Sequence, residues 1–484
     1  MSSRRTSEGT PLVKEDHESR HDAPGKSKYL LVTLGSAALA TVGGLFVYFA
    51  THPSSSFSVT TAPSYCDPSV KHEFGYIQLP HKVNDHYFYS FFESRHNPAT
   101  DPLVVWLEGG PGSSSTWAMF NVNGPCFIGD NLNSTAKNPF SWTEHSNMLW
   151  LDQPTNVGFS VGDAADDDRD EADVGRNFYA FMQSWLKQHP QYQARPLYIA
   201  GQSYGGHYVP AAAQYIVREQ AKAALAPDAI HINLQGISIG NGFTNPVIQA
   251  PMVVDMVDAI AHEYNITLAS PATVAQLRHD AAVVGHLLQA CQSANETHAC
   301  LEALTMWSDK ILTPLVTNPT RNPYDVRDIC DPTCNDYGMA KTGVYLNQPH
   351  VQAMLGVHKP YAWNNATVGM AFAVDAGKSV ALLVPEILAA GVRVLLNVGD
   401  ADLMCDWQGN DAWAKQLEWP GKSAYNAATV TPLVVDGKTA GQVRSAQGLT
   451  FVRVYNSGHG VPVDQPLVGL TLLHRFLQNA SLHE

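Results

Sequence analysis

The stretch "LYIAGQSYGGHYVP", Leu197 to Pro210, decides the fold. Its first four residues, Leu197 to Ala200, have the apolar character of a buried strand. They run straight into Gly201-Gln202-Ser203-Tyr204-Gly205, which fits the G-x-S-x-G pattern. There a serine sits on a strand-to-helix turn so tight that only small residues fit at its flanks. The chain has 36 glycines, so the pattern alone is only moderately specific. A nucleophilic serine also needs a base, an acid and an oxyanion site elsewhere in the chain.

Outward from this stretch, short apolar runs recur with strand character: Tyr87–Ser94, Leu103–Leu107, Asn147–Leu151, Leu234–Ile239, Arg393–Val398 and Thr450–Tyr455. Asp173–His189 and Val209–Ala221 carry helical spacing between strands. This alternation predicts an α/β sheet protein. From about Pro246 it fails, and helical segments, Pro turns and four of the seven cysteines take over. Residues 246–370 are therefore read as a cap inserted over the carboxyl edge of the sheet, where open α/β folds carry their sites. The core then falls in two parts, 65–245 and 371–484. No internal repeat is present.

With 484 residues, 45% of them hydrophobic, the chain can bury a substantial core. A formal net charge of −14 and the lack of a basic stripe argue against nucleic acid as a partner. Tyr29 to Ala50 is 22 residues without a charge, which at ~1.5 Å per helical residue matches the ~30 Å hydrocarbon core. Arg4, Arg5, Lys14, Arg20, Lys26 and Lys28 precede it, and no Lys or Arg follows until Lys71. The positive-inside rule then puts the polar, disordered tail 1–28 in the cytosol and everything after Thr51 on the lumenal or extracellular side. The expectation is a single-pass type II membrane protein with an uncleaved anchor at 29–50 and a flexible stem at 51–64; a signal peptide cleaved near Ala50 is the rival. Ser36, Ala40 and Gly44, spaced by four, could pack a helix dimer, so a homodimer is carried as a partner beside the membrane.

Five Asn-x-Ser/Thr sequons, at Asn133, Asn265, Asn295, Asn365 and Asn479, follow the anchor and none precedes it, which supports that topology. Cys330–Cys334 and Cys291–Cys300 are spaced like short disulfide loops, and a zinc reading of the first pair lacks two further ligands nearby. An odd cysteine count leaves at least one thiol, and the partners of Cys66 and Cys126 stay open. The acidic run Asp163–Asp173 matches no calcium loop and reads as a solvated loop leading into a helix. No metal or cofactor is implied.

The remaining catalytic groups have candidates in the right places. "LLNVGDADLMCDW" follows a strand and offers Asp400, Asp402 and Asp406; "VYNSGHGVPVDQP" follows the last strand and offers His459 between two glycines. In α/β hydrolases serine, acid and histidine come in that order along the chain. "VVWLEGGPGSSS", Val104 to Ser115, ends a strand in Gly109-Gly110-Pro111-Gly112, whose amides can turn toward a developing oxyanion. It lacks the G-K-[ST] ending of a phosphate loop.

Together these segments resemble the serine carboxypeptidase family over nearly the whole chain after the anchor. The resemblance runs from "SYCDPSV" through "NPFSWTEHSNMLWLDQPTNVGFS", "ISIGNGFTNP", "NPYDVRDIC", "YLNQPHVQAMLG" and "VGDADLMCDWQGNDAW" to "GHGVPVDQP". It implies an α/β-hydrolase core with a helical cap, removal of C-terminal residues from peptides and proteins at acidic pH, and a vacuolar, lysosomal or secretory setting. By position it implies Ser203 as nucleophile, Asp402 (not Asp400) as acid, His459 as base, and the backbone amides of Gly110 and Tyr204 as oxyanion donors. Cys405 matches a free thiol lining the site in some members. Trp106, Met404 and Gly460 are read as further lining residues.

The chain departs from the family in ways that matter. The family's Asn before the glycine pair and Glu before the serine hold the substrate's terminal carboxylate; here Glu108 and Gln202 stand in their places, as though exchanged. A family cysteine is replaced by Ser113, and its partner near "YAWNNATVGM" is missing too. Gly460 replaces a frequent Met and should widen the leaving-group pocket. Two other readings are carried: an acyltransferase or esterase on the same triad, and a non-catalytic protective protein of the lumen.

Overall fold

The computed structural model describes residues 59–60, 65–222, 228–293 and 296–482. The tail 1–28, the anchor segment 29–50, most of the stem and Asn295 lie outside the described residues. Among the described residues no helix is long and apolar enough to cross a membrane. Thr60, within the stretch 51–64 read as a flexible stem, is instead paired with Phe74 through two backbone hydrogen bonds of 2.8 and 3.0 Å.

The strands in chain order are β1 His72–Gln78, β2 His86–Phe92, β3 Leu103–Leu107, β4 Cys126–Ile128, β5 Thr135–Lys137, β6 Asn147–Leu151 and β7 Leu197–Ser203. They continue as β8 Leu234–Gly242, β9 Arg321–Asn322, β10 Asp325–Ile329, β11 Arg393–Gly399, β12 Thr431–Val435, β13 Lys438–Ala446 and β14 Leu449–Val454. Ten of them form one sheet in the order β1-β2-β6-β3-β7-β8-β11-β14-β13-β12. The centre, from β6 to β14, is parallel, and both edges are antiparallel.

Central strands are buried on both faces, which is why they read as unbroken apolar runs. Side chains alternate across the pleat, so Leu103, Val105 and Leu107 join one core while Val104 and Trp106 join the other. Helices Glu171–Gln188 and Gly205–Gln220 cover the first face, and helix Pro466–Leu477 packs Leu472, Leu473 and Phe476 on the second. Three strands of the antiparallel flanks, β1, β12 and β13, escape the sequence pattern. Gly75 interrupts the first, and β13, "KTAGQVRSA", paired on both sides, is polar because most of its side chains are exposed or half-buried, with only Gly441 and Val443 fully covered.

Between β8 and β11 the chain forms helices Pro246–Met252, Met256–Tyr264, Pro271–Cys291 and Thr297–Met306, the two-stranded ribbon β9–β10, and helices Met339–Leu346 and Pro349–Leu355. Disulfides join Cys291 to Cys300 and Cys330 to Cys334, as the spacing suggests, and Cys66 pairs with Cys126. Cys405 is the remaining thiol, and it is buried.

The acidic run is exposed at most of its positions and leads into helix Glu171–Gln188, as expected, but two of its aspartates are internal. Asp166 and Asp168 are buried; Asp166 accepts from Val83 N and Asn84 N, while Asp168 accepts from Lys82 Nζ, Tyr87 Oη, Asn177 Nδ2 and Thr155. Donors supplied by a hairpin some eighty residues upstream turn an apparently soluble stretch into an internal brace.

Candidate active site

Contacts that only glycine permits force the turn at Ser203. The serine ends β7 with φ of 59°, and helix Gly205–Gln220 begins two residues later. A Cβ on Gly201 would lie 2.4 Å from Leu107 O, so the turn is wedged against the end of β3. A Cβ on Gly109 would lie 2.5 Å from Tyr204 N and 2.7 Å from Ser203 Cβ. The glycine loop after β3 therefore rests directly on the serine turn. Gly110, with φ of +113°, lines the cavity that holds Ser203. Among the described residues neither the Gly110 N–H nor the Tyr204 N–H has an acceptor. Two such amides beside a hydroxyl can stabilise a tetrahedral oxyanion.

His459 and Asp402 meet from loops at the ends of neighbouring strands, β14 and β11. His459 Nδ1 lies 2.7 Å from Asp402 Oδ2. With the proton on Nδ1, Nε2 keeps its lone pair for a proton from the serine. Asp402 is buried and accepts three further bonds, from Asn241 Nδ2 at 2.8 Å, Met404 N at 2.9 Å and Cys405 N at 3.2 Å. Burial pulls the His459 pKa down, but the Asp402 charge and hydrogen bond, aided by Glu108 and Asp464, leave it above its ordinary value. Ser203 and His459 line one cavity; among the described residues the serine hydroxyl makes no hydrogen bond to the imidazole. Without substrate such bonds are often long and tighten in the complex.

Glu108 and Gln202 do face the same spot. Both line this cavity, and Gln202 Nε2 donates to Glu108 Oε1 at 3.2 Å. Gly109 N donates to the same oxygen at 3.1 Å, and Trp106 Nε1 to Glu108 Oε2 at 3.1 Å. Burial raises the Glu108 pKa to about 7, although those three donors and the nearby His459 charge oppose the shift. The pair thus offers an amide and a carboxyl that carries its proton under acidic conditions.

Gly460 lines the cavity as read from the sequence, whereas Trp106, Met404 and Cys405 are not among its lining residues. Trp106 lies buried and acts by holding Glu108, two residues along, through its indole N–H. Met404 and Cys405 turn inward and contribute backbone amides to Asp402. Burial, reinforced by the Asp402 and Asp406 charges, pushes the Cys405 thiol pKa well up. Asp402, Cys405 and His459 place donor atoms within 4.8 Å of one another, the one such cluster among the described residues; two of the three are already hydrogen-bonded to each other.

Sequence reasoning missed the aromatic wall: Trp117, Tyr324, Tyr337 and Trp363, with Met339 and Val463. It also missed Asn241, whose Oδ1 accepts from Gly399 N at 2.9 Å while its amide holds Asp402. The signal for Asn241 was the Gly-Asn-Gly at the end of β8. Where the resemblance places a disulfide, Ser113 and Asn364 instead form a backbone bridge and a 3.0 Å side-chain hydrogen bond. Asn133, Asn265 and Asn479 are exposed sequons. Asn365 differs: its Nδ2 donates to Asn156 O at 3.1 Å and its Oδ1 caps the following helix, so the atom a glycan would take is engaged.

The serine at the end of β7, the acid loop after β11 and the base loop after β14 follow the chain order of α/β hydrolases, and the mixed sheet with helices on both faces is of that class. Residues 63–479 match the serine carboxypeptidase family, and the chain belongs to it. It is 35% identical over 418 residues to Serine carboxypeptidase-like 48 of Arabidopsis thaliana, covering 85% of this chain and 79% of that one. It is 36% identical over 423 residues to Carboxypeptidase Y homolog A of Arthroderma gypseum, covering 85% and 75% respectively. In fold it is similar to Kex1, a prohormone-processing carboxypeptidase from Saccharomyces cerevisiae, with a TM-score of 0.73 at 23% identity, covering 87% of this chain and 94% of that one.

Proposed function

We propose that this enzyme removes C-terminal residues from peptides and proteins through an acyl-enzyme, at a pH on the acidic side of neutrality. Ser203 Oγ attacks the last peptide carbonyl as His459 Nε2 takes its proton, and the Gly110 and Tyr204 amides receive the oxyanion. His459 then gives that proton to the departing amino group, and water repeats the cycle on the ester. Glu108 and Gln202 hold the substrate's terminal carboxylate, which restricts attack to the end of the chain.

One observation carries this reading: the Glu108–Gln202 pair lies in the same cavity as Ser203 and His459, among lining residues that include no Lys or Arg. A carboxylate bound there meets neutral donors. The test is release of free amino acids from a panel of blocked dipeptides between acidic and neutral pH, with Ser203→Ala as control. Ester cleavage without amino-acid release would defeat the proposal.

The same reading places the enzyme as a single-pass type II membrane protein with its catalytic part in an oxidising lumenal or extracellular space. The support is the charge asymmetry around residues 29–50 and three disulfides after it. Release of the full-length chain from membranes by alkaline carbonate would count against the anchor.

A further inference from the structure

The motif Asn322–Cys330, "NPYDVRDIC", lends the Tyr324 ring to the cavity wall, and the rest of it has no part in the chemistry above. Its ribbon, β9–β10, is threaded between the loops that carry Asp402 and His459. On one side Val326 N donates to Ala401 O at 3.0 Å and Leu403 N to Pro323 O at 3.0 Å. On the other, His459 N donates to Tyr324 O at 2.8 Å. Ala401 N to Ser457 O, at 2.8 Å, joins the two loops directly. A Cβ on Gly458 would meet Tyr324 O at 2.5 Å and Asp325 Cβ at 2.8 Å, so there is no slack. The Tyr324 ring stands edge-on to the imidazole with centroids 4.9 Å apart.

An ion pair sits where ribbon and base loop touch. Asp325 clasps Arg327 through Nε at 2.8 Å and Nη2 at 2.6 Å. Arg327 Nη2 also reaches Asp464 Oδ2 at 3.4 Å, and that oxygen accepts from Gly458 N, the residue before the base, at 2.6 Å. Around the imidazole the titratable groups are Asp402, Glu108 and Asp464, with the Cys405 thiol and Tyr324 also beside it. Arg327 is the cation beyond Asp464, and Asp325 its second counter-charge.

We propose that Arg327 and Asp464 are positioning residues for His459, fixing its loop and setting its basicity with opposite signs. Asp464 anchors the loop at Gly458 N–H and favours the imidazolium; Arg327 cancels part of that charge. The inference rests on Ser203 and His459 being the reacting pair, not on the substrate being a peptide.

The test reads His459 directly: the second-order rate of Ser203 acylation by a fluorophosphonate, from pH 4 to 8, in the full-length enzyme and in R327Q, R327K and D464N. Removing the cation should move the acid midpoint up by about half a unit. D464N, which keeps an acceptor for Gly458 N–H, should move it down by roughly as much. R327K should leave it near the parent value. Midpoints that stay put, or that shift in one direction for R327Q and D464N alike, overturn the proposal. If R327Q does not fold, D464N against R327K decides alone: a D464N midpoint at or above that of R327K overturns it. Peptide hydrolysis is scored separately, since its absence with acylation intact counts against the carboxypeptidase reading only.

Discussion

Glu108 makes substrate affinity depend on pH, and the size of the effect follows from its surroundings. Burial raises its pKa to about 7. Ionised, and about 3 Å from a substrate carboxylate, it would be repelled by roughly 5 kcal/mol at an effective dielectric near 20. Protonated, it donates a charge-assisted hydrogen bond worth about 1.5–3 kcal/mol. The gap, about 7 kcal/mol, exceeds the ~1.4 kcal/mol per pH unit that keeping the proton costs above pH 7. Substrate therefore binds together with a proton. KM should be flat below pH 7 as far as Glu108 is concerned, then rise about tenfold per unit, with kcat nearly unchanged. Glu108→Gln is neutral at every pH; its one oxygen can serve Gly109 N and Gln202 Nε2 or Trp106 Nε1 but not both sides, so its KM should be higher than the parent's at pH 5 yet stay level with pH. The assay is initial rates on a blocked dipeptide from pH 5 to 8.5, separating kcat from KM, with circular dichroism at each pH to exclude unfolding. A Gln variant that is active at pH 5 yet shows the parent's alkaline climb in KM would refute the reasoning.

Other outcomes follow from the same structure. Burial holds Asp85, Asp375 and Asp406 at about 7. A carboxyl whose folded pKa exceeds its unfolded one contributes stability that is fully present below about pH 4 and lost as pH rises to about 7. The urea midpoint should thus fall between pH 5 and 7.5, and Asp85→Asn, which stays paired with Thr155, should flatten part of that slope. Asp402→Asn should lower kcat by about 10⁴-fold, because the imidazole loses its preferred tautomer. Ellman's reagent should titrate no thiol in the native protein and one after denaturation, Cys405. Ser113→Cys with Asn364→Cys, at a bridged backbone pair, should close a disulfide and raise stability by up to about 5 kcal/mol, seen as a higher non-reducing Tm.

What was legible in the sequence was what local chain geometry dictates. Gly201, Gly109 and Gly110 are required where backbones approach within contact distance, so they mark the serine turn and the amide loop whatever the rest of the fold does. Central strands such as Leu103–Leu107 announce themselves because both their faces are buried. The internal aspartates of the acidic run were missed for one physical reason, partners far away in the chain. Asp166 and Asp168 look solvent-facing until Lys82, Val83 and Tyr87 arrive to receive them.

The exchange of acid and amide at Glu108 and Gln202 joins both kinds of reading. Sequence alone could say that the two side chains had traded places, but only the buried Trp106 indole and the Gly109 amide explain why the acid tolerates its new position. The amide at Gln202 can turn its donor to Glu108 or to a ligand; the carboxyl at Glu108 cannot leave its two fixed donors. Reversing the exchange with Glu108→Asn and Gln202→Glu would therefore place an acid opposite an asparagine, without an indole donor of its own. That double variant should retain C-terminal cleavage yet shift the alkaline rise in KM, because the proton would then belong to a differently solvated carboxyl. An unchanged rise would mean that neither side chain is the group that titrates.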